Sequence, residues 1–167
     1  MEIIDPKFRK NKAKYVAQTS LVVMVIFIIL TVLDAVSNAA VIASLGASSF
    51  IAFTMPHADV SRPRFMLGGY AVSIVVGTSF FYASVLVEGS SISLVQSIPI
   101  EVFAAFALGV AIFIMVTANF EHPPAAGVAL GLVLNGSTGL TILVLMVGIL
   151  SLVLAKVIAK PVLINLL

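Results

Sequence analysis

Six apolar runs divide the chain, at residues 16–36, 39–55, 66–87, 99–118, 123–134 and 140–158. Polar positions are few and collect between the runs, so each run reads as one helix rather than as alternating strands. The first, third, fourth and sixth runs are long enough to cross a bilayer, which takes about 20 residues. The second is marginal and carries Gly46 in its middle. The fifth holds about 12 residues, or roughly 18 Å of helix, against a hydrocarbon core of about 30 Å. The pattern predicts an all-α membrane protein, a polytopic helical bundle with four long transmembrane helices and two short broken or half-helices.

Two topologies fit these lengths. Either the short segments re-enter and four helices cross, or each short segment crosses as extended chain plus half-helix and six cross. The nine basic residues discriminate between them. Lys7, Arg9, Lys10, Lys12 and Lys14 precede the first run, Arg62 and Arg64 separate the second and third, and Lys156 and Lys160 flank the end of the sixth. Six crossings put all nine on one side, and basic loops favour the cytoplasm. Four crossings would put Arg62 and Arg64 on the other side. The expectation is therefore six crossings, a cytoplasmic N-terminus and, in a bacterium, the inner membrane. Asp34, Glu88 and Glu101 then fall near the outer side.

The long-short-long order of runs one to three repeats in runs four to six. With an odd number of crossings per half, the halves must be inverted, a 3+3 arrangement that transporters use to bring broken helices together at a midplane site. The expected organisation is a basic segment 1–15, one transmembrane domain 16–160 with halves of about 16–87 and 99–158, and a tail 161–167.

Composition supports the same solvent. Hydrophobic residues make up 61% of the chain and charged ones only 10%, against about a quarter charged in soluble domains. A net charge of +2 on residues beside apolar spans is topological and gives no reason to invoke nucleic acid. Cysteine is absent, which excludes disulfides, thiolate metal sites and cysteine nucleophiles. The first run exceeds a signal-peptide core and is expected to stay as a span.

The candidate chemistry lies at the short runs. Glu121 and His122 precede Pro123, Pro124, Ala125, Ala126 and Gly127. Proline suits the first helical turn, so Glu121 or His122 would sit at the cap. Free amides and the positive end of the helix dipole favour an anion there. The prolines offer no donor, which leaves Ala125 and Ala126. In the first half, Gly46, Ala47, Ser48 and Ser49 form the matching break, which inverted symmetry would turn toward the other. An anion held at these two helix N-termini would need no lysine or arginine. Plainer readings stand beside this one: a simple helix start at the prolines, serines bonded to their own backbone, a His122 that only caps or that couples transport to protons, and a solvated His57. Gly69, Ser73 and Gly77 recur every four residues, as do Gly127 and Gly131, and such stripes suit packing within or between subunits, so a homo-oligomer is one reading. No enzyme constellation, metal cluster, nucleotide fingerprint or cofactor motif is present.

At these residues the chain resembles the HPP family of integral membrane proteins. The resemblance runs through Leu45-Gly46-Ala47-Ser48 to Pro56, then Pro63-Arg64 with Gly68-Gly69, then His122-Pro123-Pro124-Ala125, and it covers roughly residues 34–160. Here the glycine after the signature comes one place late, at Gly127, and Phe65 stands where relatives often carry Asn. The resemblance implies a membrane domain linked in plant and cyanobacterial relatives to nitrite transport, and commonly described with four transmembrane helices. The expected function is transport of a small inorganic anion, nitrite first, by alternating access, with the lipid bilayer as the other partner. The alternatives are a passive channel for small anions or neutral acids, and a non-transporting membrane scaffold or sensor subunit.

Overall fold

A computed structural model describes residues 6–33 and 39–166. Asp34 and the end of the first predicted run lie outside the described residues. Among the described residues six apolar helices carry the fold: α1 (Pro6–Leu33), α2 (Ala39–Thr54), α3 (Pro63–Glu88), α5 (Ile100–Thr117), α6 (Pro123–Asn135) and α7 (Gly139–Ala159). A single turn, α4 (Ser93–Gln96), interrupts the connection between α3 and α5. Short 3₁₀ turns occupy Asp59–Ser61 and Lys160–Val162. Among the described residues four segments are long and apolar enough to span a membrane: Phe8–Thr31, Pro63–Glu88, Ile100–Thr117 and Gly139–Val162.

Local chemistry explains most of the helix starts. Pro63 and Pro123 open α3 and α6, and the residue before each, Arg62 or His122, is extended, because a following proline disfavours helical angles. Thr138 caps α7 by accepting the Thr141 amide at 3.1 Å. One start differs from expectation. α1 begins at Pro6, ten residues before the apolar run, since its Lys, Arg and Ala residues are good helix formers. Only Asn11 leaves helical angles there, at φ −127° and ψ 28°.

The second correction concerns α2. The terminus expected at Gly46, Ala47, Ser48 and Ser49 does not exist, because α2 runs unbroken from Ala39 to Thr54 with Gly46 inside it. A glycine inside a helix costs only about 1 kcal/mol relative to alanine, and packing of Leu45, Ala52 and Phe53 in the core outweighs that.

The chain alternates in direction from helix to helix. The Tyr15 hydroxyl donates to the Leu166 carbonyl and the Gln18 amide to the Phe53 carbonyl, so α1 starts where α2 and the chain end. α2 runs against α6, with Ala40 beside Gly131 and Ser48 beside His122. α3 runs with α6, placing Gly69 against His122 and Gly77 against Ala129. α7 then returns to put Lys156 on Ser61. The basic stretch of α1, Arg62, Arg64, Lys156 and Lys160 thus gather at one end, here called the basic end.

The short helices hold the centre. α6 buries Ala125, Ala126, Val128, Ala129, Gly131, Leu132 and Val133 against α2, α3 and α5. Phe27, Phe106, Phe113, Leu154 and Ile158 face outward from α1, α5 and α7, which is how so apolar a chain is solvated by lipid. The glycine stripe of α3 is packing inside one chain. A Cβ at Gly77 would come within 2.8 Å of the Ala129 carbonyl oxygen, and one at Gly69 within 2.8 Å of the His122 Cβ. Gly127 does not share that role; it is exposed, and a Cβ there would meet nothing within 4 Å.

Candidate functional site

His122 owes its position to the end of α5. Asn119 adopts the left-handed conformation, at φ 57°, which asparagine tolerates better than most residues. The Phe120 amide then bonds to the Met115 carbonyl at 2.8 Å and the Asn119 amide to Val116 at 3.4 Å. This is the six-to-one and five-to-two pairing that closes many helices. It turns the chain so that Phe120 lies against Gly68, and His122, fully extended, begins α6. His122 occupies the N-cap position, but its side chain caps nothing. The ring points into the bundle instead, with 1% of its surface exposed.

There the imidazole joins three elements. Nδ1 lies 2.9 Å from the Val60 carbonyl in the 3₁₀ turn, and Nε2 lies 2.9 Å from Ser48 Oγ on α2. Ser48 Oγ in turn meets the Tyr70 hydroxyl of α3 at 2.9 Å. A carbonyl can only accept, so Nδ1 carries a proton whatever the charge of the ring. In the neutral ring Nε2 is therefore the acceptor, Ser48 donates to it, and Tyr70 donates to Ser48. If the ring gains a second proton, Nε2 must donate and the Ser48 hydroxyl turns toward Tyr70. The chain of three groups has two hydrogen-bond directions and one geometry. Ser48 and Tyr70 are fully buried, and the ring of Tyr70 lies 5.9 Å from that of His122.

The remaining predicted site residues divide. Ala125 and Ala126 are buried beside His122, and Pro123 is exposed next to it. The Ala125 amide, a predicted anion donor, is bonded to the His122 carbonyl at 2.9 Å. Pro124 is half-buried. Ser49 is buried but its hydroxyl bonds to Gly46 of its own helix at 2.7 Å. Gly46 is half-buried, while Ala47 and Gly127 face outward. His57 is an exposed loop residue held by the C-terminal segment, through its amide to Asn165 and its ring to the Leu163 carbonyl. A cavity of about 250 Å³ opens beside the imidazole, lined by Ile112, Met115, Val116, Glu121, His122, Pro123 and Ala126. Among the described residues no set of three His, Cys, Asp or Glu side chains gathers to hold a metal.

Sequence reasoning missed Tyr70, although it follows Gly69 directly and shares the α3 face of Ser73 and Gly77. Ser73 is itself fully buried, and among the described residues its hydroxyl finds no partner. Reasoning also placed Lys156 at the membrane edge. It is buried on α7, with Nζ 2.6 Å from the Ser61 carbonyl and 3.3 Å from Ser61 Oγ. The signal was a lone lysine inside an apolar run, four residues before Lys160.

No curated protein and no solved structure matches this chain. The model of one family, described as HPP, transmembrane region, matches residues 8–165, nearly the whole chain. With the His122 ring of its His-Pro-Pro segment buried in an apolar helical bundle, this chain belongs to the HPP family of integral membrane proteins.

Proposed function

We propose that this protein transports a small inorganic anion across the membrane, with nitrite the first candidate, and that His122 stands at the solute's path. The observation that carries the reading is the buried chain Tyr70–Ser48–His122, which ties α2, α3 and α6 together inside an apolar bundle. Polar side chains are costly within a membrane domain and tend to mark substrate or proton pathways. Hydroxyls and an imidazole can donate to an anion without adding a fixed charge inside the bundle. Ser73 adds a buried hydroxyl with no protein partner among the described residues, a donor free for a bound oxyanion. These side chains take the place that the helix-terminus amides held in the sequence reading.

The packing supports alternating access between two inverted halves. α6 packs on α5, α3 and α2, and α2 packs on α1, α7 and α6. Exchanging α1, α2 and α3 with α5, α6 and α7 turns one set of partners into the other, as an inverted repeat requires. The basic end is read as cytoplasmic. In this conformation the imidazole is covered on the α2 and α3 sides and borders a cavity on the α5 side. The cavity against α5 is apolar except for Glu121 and His122; it offers a route to the ring rather than a charge to hold the anion.

The test is nitrite uptake into proteoliposomes of the purified protein, with nitrate, formate, bicarbonate and sulfate as competitors. Saturable uptake that accelerates against internal nitrite and is lost in His122→Ala supports the carrier. Uptake without counterflow acceleration indicates a channel. No uptake of any anion by folded protein removes the transport reading and leaves a membrane scaffold or sensor.

A further inference from the structure

Lys156 is the buried cation that the Tyr70–Ser48–His122 chain does not use. Only 1% of its surface is exposed. Its ammonium has the Ser61 carbonyl and hydroxyl for partners, both neutral. Among the described residues no carboxylate pairs with it; Asp59, two positions from Ser61, is taken by Arg62 at 2.8 Å. The charges that act on Lys156 from nearby are Lys160 and Arg62, both positive. A buried charge without a counter-ion costs several kcal/mol. The C-terminal turn of α7, where Lys156 sits, returns about 1 kcal/mol of that through the helix dipole. The excess positive potential at this place is suited to an anion.

Lys156 also shares its support with His122. Val60 and Ser61 are consecutive, and their carbonyls accept from His122 and Lys156 respectively. The Asp59–Ser61 turn thus lies across both groups and takes two of the three ammonium donors. Movement of that turn would uncover the lysine and release Nδ1 of the histidine together.

We propose that Lys156 is the charge-selecting residue of the transport path, the group that docks a monovalent oxyanion at the basic end when the Asp59–Ser61 turn lifts from it. This deepens the transport reading and rests on it. Two measurements on the full chain test it. The first is nitrite uptake by Lys156→Met and Lys156→Arg in proteoliposomes. The second is the rate at which an amine-acetylating reagent modifies Lys156 in the unaltered protein, by peptide mass mapping, with and without nitrite and with Lys10 as the internal reference.

The expected result is a rise of about tenfold or more in half-saturating nitrite for Lys156→Met, the size of a lost charge-assisted contact. Lys156→Arg keeps most of the uptake, and nitrite slows acetylation of Lys156 but not of Lys10. If the unaltered protein transports nitrite and Lys156→Met does so with unchanged half-saturation, the inference is overturned while the transport reading stands. If the unaltered protein transports no anion, the transport reading fails, and an acetylation rate indifferent to every anion tested overturns the inference too. Should Lys156→Met not fold, Lys156→Arg and the acetylation rates decide: nitrite protection supports the inference and its absence overturns it.

Discussion

The imidazole of His122 and the hydroxyl of Ser48 meet at 2.9 Å, although 74 positions separate them in the chain. One belongs to the loop that starts α6, the other to the middle of α2, and the bond links the two short helices at the centre of the bundle. Ser48→Ala would leave both Nε2 and the Tyr70 hydroxyl without this partner, at a cost of about 1–3 kcal/mol. Tyr70→Phe leaves the Ser48–His122 bond in place and should cost less. Thermal unfolding in detergent checks the order; equal melting temperatures for the two variants would contradict it.

The glycines of the bundle should differ sharply in what they tolerate. A methyl at Gly77 would press on the Ala129 carbonyl oxygen at 2.8 Å and Cα at 2.9 Å, both backbone atoms that cannot turn aside. Gly77→Ala should therefore destabilise by about 1–3 kcal/mol, as overpacking does. Gly127 and Gly109 meet nothing within 4 Å, so alanine at either should be neutral or stabilise by up to about 1 kcal/mol. The same melting measurement separates the two groups.

The alternating path makes a prediction about sidedness. The chain has no cysteine, so single cysteines can be introduced and labelled with an impermeant thiol reagent. Lys10→Cys, Asp59→Cys and Lys160→Cys should react from one side of the membrane, and Ser91→Cys from the other. Asp59→Cys reacting from the side opposite Lys10→Cys would return the topology to four crossings with re-entrant short helices.

Gln18 should hold the C-terminal segment in place. Its amide donates to the Phe53 and Ile164 carbonyls at 2.8 and 3.0 Å and accepts from the Ile164 amide at 3.1 Å. Gln18→Leu removes all three bonds and keeps the volume. Hydrogen exchange at Ile164 should then quicken on the order of tenfold, the equivalent of one net hydrogen bond. Unchanged exchange would mean that Leu166, bonded through its amide to Thr54 and its carbonyl to Tyr15, and the His57 bonds to Leu163 and Asn165 secure the segment without Gln18.

Much of this architecture is local and therefore legible in the amino-acid sequence. Apolar runs longer than a bilayer is thick specify spanning helices, and prolines at 63 and 123 specify where two of them start, because proline stereochemistry acts on its immediate neighbours. The His-Pro-Pro segment identified the family, and the placement of the basic residues anticipated the single basic end. What was not legible depends on helix rotation. A membrane helix can be as apolar toward lipid as toward its neighbours, so its pattern does not say which face meets which. Only the tertiary structure decided that α2 runs through Gly46, because burial of Leu45, Ala52 and Phe53 outweighs one glycine. Only it brought Tyr70 to Ser48 and Ser48 to His122, and closed the Asp59–Ser61 turn over both His122 and Lys156, since each of these pairings joins residues whose separation in the chain carries no information about their distance in space.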